Sequence, residues 1–347
     1  MREMTCRLLV IGAGPGGYVC AIRAGQLGVD TVVVDRAALG GTCLNVGCIP
    51  SKALIHAADE FHRIAAPEGL REMGISAPGP AIDLTATMDW KDGIVTRLTG
   101  GVAALLRQAG VRVVLGEATM RDGKTAVVET AEGPLLIRAE VLVLATGSAP
   151  VQLASLPFGG HVIGSAEALA LRDVPERLTV VGGGYIGLEM GMAFAKLGSK
   201  VTVVEAGPRI LPQYDAELTR PVSRKLADLG VRVLTQAKAG GVSDAGALTV
   251  SGPGGDEDIP SDKILVTVGR RPLIDAAGIP DLRLAMTGPF IKIDDQCRTS
   301  MRGVYAIGDI TGEPMLAHRA MAQGEMVASI VAGQSKVWDR RAMPTVC

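Results

Sequence analysis

An α/β fold of two Rossmann-like units, the second inserted within the first, is predicted by two observations. The first is an internal repeat. Residues 7–35 (RLLVIGAGPGGYVCAIRAGQLGVDTVVVD) and 177–205 (RLTVVGGGYIGLEMGMAFAKLGSKVTVVE) each read apolar strand, glycine turn, helix, apolar strand, acid. The second is a pair of similar strand ends. Val141–Ala145 runs into Thr146-Gly147, and Ile264–Val268 runs into Gly269-Arg270-Arg271-Pro272, like equivalent exits from two sheets. Boundaries near 150 and 272 follow. They divide the 347 residues into 1–149, 150–271 and 272–347, with the outer two segments forming one domain.

Each element of the repeat has a physical reason. In copy one the glycines are Gly12, Gly14 and Gly17 and the acid is Asp35; in copy two they are Gly182, Gly184 and Gly187 with Glu205. The first glycine permits the tight turn, the second lets backbone approach a pyrophosphate, and the third lets helix pack on strand. The helix N-terminus offers unpaired N–H groups and partial positive charge to phosphates. The closing acid accepts hydrogen bonds from ribose hydroxyls. A carboxylate at Glu205 repels a 2′-phosphate, so the second site is expected to take NAD rather than NADP. Arg209 lies nearby and is read as a loop residue.

Between the repeats, an apolar helix pattern surrounds Leu98–Leu106, with short strands at Val111–Leu115 and Val127–Glu129. After copy two come a helix near Asp215–Leu229, a strand at Val231–Leu234 and a turn-rich stretch, Gly240–Gly255. The segment GVYAIGD puts Gly308 and Asp309 at the end of a short strand. Asp309 there either caps the strand or holds a ribityl or ribose hydroxyl.

Cys43 and Cys48 carry the chemistry. They sit in GGTCLNVGCIPSK, residues 40–52, with four residues between them. Such a pair can close to a small disulfide or open to a dithiol, a two-electron switch beside a dinucleotide unit. As a structural staple a loop this short would contribute roughly 2 kcal/mol. Structural disulfides are also rare in the intracellular setting expected here. A zinc site would need a second Cys or His pair at ligand spacing. Cys6, Cys20, Cys297 and Cys347 are scattered singly and the four His are isolated, so no metal is expected.

Composition limits the alternatives. Hydrophobic residues make up 48%, charged residues 20% and aromatics 3%, with 45 glycines, which suits α/β units with many tight turns. Net charge is −1 with no basic stripe, so no nucleic-acid partner is expected. No apolar run is long enough to span a membrane. Arg2 and Arg7 precede Leu8–Ile11, but that stretch is too short for a signal peptide and glycines interrupt it. A cytoplasmic protein is expected.

These residues resemble the flavoprotein disulfide reductase family, and within it the dihydrolipoamide dehydrogenases. The matching segments, in family order, are GAGPGGYVCAIRAGQLG, GGTCLNVGCIPSK, LATGS, VVGGGYIGLEMG, VTVVEA, VGRRP, GVYAIGD and LAHRA. The resemblance implies FAD on copy one and NAD on copy two. It makes Cys43 the thiol that meets substrate and Cys48 the thiol facing the flavin. It places Lys52 near the flavin, paired with Glu189, and Tyr185 over the nicotinamide pocket. It further puts Thr42, Thr146, Gly147, Asp309 and Ala317 at FAD, Gly269 at NAD, and His318 at the cofactor edge without an acid–base role. The implied reaction is oxidation of a dihydrolipoyl group on a carrier protein of a 2-oxoacid dehydrogenase or glycine cleavage complex, with hydride passing to NAD⁺. Mercuric and glutathione reductases share the redox loop, but their usual NADPH preference disagrees with Gly187 and Glu205. A non-catalytic flavin-binding component of an assembly would leave Cys43, Cys48 and Lys52 idle.

The family continues into an interface domain that forms a homodimer and carries a His–Glu pair. His56, His62, His161 and His318 do not match that His motif. The chain is therefore expected to be a fragment that keeps FAD but turns over dihydrolipoamide poorly, since positioned acid–base groups give about 10²–10⁴-fold.

Overall fold

The computed structural model describes residues 1–66, 70, 72–243, 246–339 and 341–345. Cys347 and residues 244–245 of the turn-rich stretch lie outside them. From the N-terminus the chain runs β1 (Arg2–Ile11), α1 (Pro15–Gln26), β2 (Thr31–Asp35), α2 (Gly41–Asn45), α3 (Cys48–Ala65) and α4 (Leu84–Gln108). Then follow β3 (Arg112–Leu115), β4 (Glu117–Asp122), β5 (Thr125–Thr130), β6 (Gly133–Leu144) and β7 (Ser148–Pro150). The next stretch holds β8 (Val162–Ile163), α5 (Ser165–Ala168), β9 (Arg177–Val181), α6 (Tyr185–Lys196), β10 (Lys200–Val204) and α7 (Ala216–Asp228). It continues with β11 (Arg232–Leu234), β12 (Lys238–Val242), β13 (Ala247–Gly252), β14 (Gly255–Pro260) and β15 (Lys263–Val266). The last elements are β16 (Arg270–Pro272), β17 (Met286–Thr287), β18 (Phe290–Ile291), β19 (Val304–Ala306) and α8 (Ala317–Val331).

Two compact units emerge. One comprises Met1–Asn45, Val95–Ala149 and Arg271–Val346; the other comprises Val46–Ile94 and Pro150–Arg270. In the first, β1 lies between β2 and β6, with β3 beyond β2, all parallel. β6 serves two partners along its other edge. Its first half pairs antiparallel with β5 and its second half parallel with β19. β2 is buried along Thr31–Val34, the mark of a parallel strand covered on both faces. Leu9, Ile11, Val32, Val34, Leu142 and Leu144 form the centre of its core. α1 and α8 touch backbone to backbone: a Cβ on Gly324 would lie 2.3 Å from the Gly16 carbonyl.

In the second unit the order is β11-β10-β9-β15-β8, all parallel. The strands expected at Val231–Leu234 and Ile264–Val268 correspond to β11 and β15, and α7 fills the helix expected near Asp215–Leu229. Asp215 caps that helix, its carboxylate accepting the Glu217 N–H at 2.9 Å.

Two expectations are corrected. The stretch Gly240–Gly255, read as turns, lies largely in an antiparallel sheet, β12-β13-β14. Its glycines hide a strand pattern in which Leu248, Val250 and Ile259 bury one face. The second correction concerns Val46–Ile94, placed by linear boundaries in the domain 1–149. Leu54 and Ala58 of α3 and Leu84 and Met88 of α4 join the core of Leu188, Met190 and Phe194 from α6. Tertiary burial, invisible to local pattern, groups the segment with 150–270.

Candidate functional site

Both glycine turns follow a strand with a parallel neighbour on each side, β1 between β2 and β6 and β9 between β10 and β15, where the strand order reverses. Open α/β sheets bind ligands at this position. The three glycines of each copy separate cleanly by surroundings. Gly12 and Gly182 have φ of +101° and +108°, and a Cβ on either would sit 2.3 Å from the Ala145 carbonyl or 2.6 Å from that of Thr267. A Cβ on Gly17 would lie 1.8 Å from the Gly12 oxygen, and one on Gly187 would lie 2.4 Å from that of Gly182. The middle glycines differ. Gly14 would meet nothing nearer than 3.8 Å and Gly184 nothing within 4 Å. The first and third glycines are demanded by the fold, while the middle one faces the space a ligand would use.

The closing acids reach back to these turns. Asp35 accepts the N–H of Ala13 through Oδ2 at 2.7 Å and that of Ala37 through Oδ1 at 3.0 Å. Glu205 accepts the N–H of Gly183 through Oε2 and that of Gly207 through Oε1, both at 2.6 Å. Each carboxylate is aimed beside its turn and keeps lone pairs for further donors. Beside Asp35 opens a cavity lined by Gly12, Arg36, Gly116, Glu117, Thr146 and Ala277 among others. Gly116, Glu117 and Ala277 went unread in the sequence, although a glycine just beyond β3 was an available signal.

Thr146 follows β6 and donates to the Leu273 carbonyl at 2.7 Å. Gly147 and Gly269, the two strand exits, have φ of +76° and +121° with open space where a side chain would stand. Asp309 lies in the turn Gly308–Thr311 after β19 and accepts the Ser148 hydroxyl at 2.5 Å. Ser148 is a partner the sequence reading missed. Ala317 opens α8; the neighbouring His318 is exposed, with Nε2 2.9 Å from the Pro344 carbonyl.

Arg209 is a loop residue, as expected. Its guanidinium donates to the carbonyls of Tyr214 at 2.7 Å and Pro212 at 2.8 Å, closing its own loop. Leu211 of that loop donates to the Gly183 carbonyl at 2.9 Å, so the loop is seated on the glycine turn.

The redox loop divides between two helices. Thr42 and the half-buried Cys43 lie on α2, and exposed Cys48 is the first residue of α3. One turn on, Lys52 donates from Nζ to Glu189 Oε2 on α6 at 2.7 Å. The Glu189 side chain is 14% exposed and that of Lys52 59%. Tyr185, half-buried, opens α6. The other described thiols are different. Burial pushes Cys6, Cys20 and Cys297 up to about 12, which keeps them protonated and unreactive at neutral pH. Among the described residues no cluster of His, Cys, Asp and Glu is arranged to hold a metal, and no helix is long and apolar enough to cross a membrane.

Residues 6–324 match the family described as pyridine nucleotide-disulphide oxidoreductase. The chain is 56% identical to dihydrolipoyl dehydrogenase of Pseudomonas aeruginosa over 341 residues, covering 98% of this chain and 74% of that protein. It is 42% identical to dihydrolipoyl dehydrogenase of Geobacillus stearothermophilus, covering 97% and 72%. Among solved structures, LpdA from Mycobacterium tuberculosis matches with a TM-score of 0.86 at 26% identity over 96% of this chain and 74% of that one. The HOCl-induced flavoprotein disulfide reductase RclA from Escherichia coli matches with a TM-score of 0.82 at 25% identity over 95% and 72%. Paired glycine–acid turns, a two-cysteine loop and these matches converge: the chain belongs to the pyridine nucleotide-disulphide oxidoreductases, flavin-dependent disulfide oxidoreductases that use FAD and NAD(H).

Proposed function

We propose that this chain oxidises a protein-bound dihydrolipoyl group to lipoyl, using Cys43 and Cys48 as its redox disulfide. The observation that carries the reading is the matched pair of glycine turns, each with its middle glycine open and its acid held beside it. FAD would be held by Gly12, Gly14, Gly17, Asp35, Thr42, Lys52, Thr146, Gly147, Asp309 and Ala317. NAD would be held by Gly182, Gly184, Tyr185, Gly187, Glu205 and Gly269. The donor sets fit: backbone N–H groups for phosphates and acids for ribose or ribityl hydroxyls. Residues 1–149 with 272–347, less the segment Val46–Ile94, are accordingly read as the FAD-binding domain and 150–271 as the NAD-binding domain.

The substrate follows from the names of the relatives. One substrate thiolate attacks the Cys43 sulfur, breaking the Cys43–Cys48 bond and forming a mixed disulfide. The second substrate thiolate attacks its own disulfide sulfur, closing the lipoyl ring and releasing Cys43. Two electrons then reside on the pair, with Cys48 as thiolate. The first-turn N–H groups of α3 attract negative charge at that position. Lys52, held by Glu189, supplies a cation one helical turn further on. Bound FAD supplies a two-electron relay between this thiol pair and NAD⁺. The partner is a lipoyl-bearing carrier protein of a 2-oxoacid dehydrogenase or glycine cleavage complex.

Dithionite titration of the FAD-loaded chain tests the reading. The expected result is a long-wavelength absorption band at two electrons per chain, absent in Cys48→Ser. A long-wavelength band of parent intensity in Cys48→Ser would overturn it.

A further inference from the structure

The turn that carries Asp309 is gripped from beneath by two buried side chains of α8. Arg319, 6% exposed, donates through Nη1 to the carbonyls of Gly312 at 2.6 Å, Pro314 at 3.3 Å and Gly308 at 3.5 Å. Its Nη2 donates to Thr311 Oγ1 at 2.8 Å, and that hydroxyl donates to the Gly308 carbonyl, also at 2.8 Å. Gln323, 1% exposed, accepts the Gly308 N–H through Oε1 at 2.8 Å. The residues on both sides of Asp309 are thereby fixed by α8, while its carboxylate accepts from Ser148. A guanidinium presents donors in a rigid planar fork, so it sets the directions of several carbonyls at once. A buried carbonyl without a donor would pay for desolvation, which ties the turn to this arrangement.

We propose that Arg319 and Gln323 are positioning residues for the cofactor: they act through the turn Gly308–Pro314 to aim the Asp309 carboxylate at a hydroxyl of bound FAD. This rests on reading Asp309 as an FAD ligand. A small displacement of a positioned group is costly, because a binding constellation tolerates about 0.5 Å of error. Arg319 and Gln323 touch the turn and leave the cofactor contact to Asp309.

A double-mutant cycle on FAD affinity tests this. FAD is removed from the full chain and rebinding is titrated by flavin fluorescence for the parent, Asp309→Ala, Arg319→Met, Gln323→Met and each combination with Asp309→Ala. Each single variant is expected to weaken FAD by about tenfold or more, and each double variant to be no weaker than Asp309→Ala alone. Arg319→Lys, which can serve one carbonyl of the three, is expected to restore part of the loss. If Asp309→Ala leaves affinity unchanged, the reading of Asp309 as a ligand fails. If Asp309→Ala weakens FAD but the second substitution adds its full effect, the positioning role fails. Gln323→Met keeps the outcome decisive should Arg319→Met not fold.

Discussion

Glu205 accepts the Gly183 N–H through Oε2 and the Gly207 N–H through Oε1, each at 2.6 Å. Both carboxylate oxygens are therefore committed as acceptors before any coenzyme arrives. An amide has one acceptor oxygen, so Glu205→Gln turns its NH₂ toward one of the two donors. Leaving such a donor without a partner costs about 1–3 kcal/mol. The KM for NADH should rise about tenfold or more in Glu205→Gln. NADPH should gain nothing, because Arg209 stays bound to the Pro212 and Tyr214 carbonyls. Steady-state assays with both coenzymes decide it, and a kcat/KM for NADPH exceeding that for NADH would count against this account.

The glycines of copy one give a second expectation. Gly17→Ala would place a methyl 1.8 Å from the Gly12 carbonyl and should abolish folding. Gly14→Ala has room, with nothing nearer than 3.8 Å, and should fold with unchanged circular dichroism but lose FAD. FAD content and far-ultraviolet spectra of the two purified variants separate the roles. A Gly14→Ala chain that retains FAD as tightly as the parent would contradict them.

The Lys52–Glu189 pair is exposed on the lysine side, and such pairs contribute about 0–1 kcal/mol to stability. Lys52→Met should accordingly shift urea denaturation little. A cation placed where charge develops has larger kinetic weight, and flavin reduction by dihydrolipoamide should slow by about tenfold or more. Stopped-flow absorbance measures the rate. Unchanged kinetics would reduce the pair to surface decoration.

Thiol labelling gives a fourth expectation. Cys6, Cys20 and Cys297 are pushed up to about 12 by burial, so at pH 8 they remain protonated and unreactive. Exposed Cys48 should label with iodoacetamide in the reduced chain freed of FAD while these three do not. Peptide mass spectrometry reads the sites. Labelling of Cys20 at the rate of Cys48 would show that the core around α1 opens freely.

Both nucleotide units were legible because everything that defines them is local. Glycine spacing, an apolar strand on each side and a closing acid all fall within one short segment, and Gly12, Asp35, Gly182 and Glu205 stand where that pattern puts them. The pairing of Lys52 with Glu189 came from resemblance, since nothing local connects α3 to α6. Three features had no local signature. The sheet β12-β13-β14 was masked by glycines whose turn chemistry outweighs a short apolar alternation. The packing of Val46–Ile94 against α6 depends on which apolar faces meet in space. The clamp on the Asp309 turn needs a buried arginine, and an arginine in a helix reads as surface until its surroundings are known.

The close approach of Gly16 on α1 to Gly324 on α8 has a consequence for how the molecule is made. The opening helix of the chain has its mating surface about three hundred residues further along the sequence. On a ribosome, the N-terminal nucleotide fold must therefore wait, unfinished, until α8 has emerged. The inserted unit, Pro150–Arg270, together with Val46–Ile94, is fully synthesised well before that helix appears.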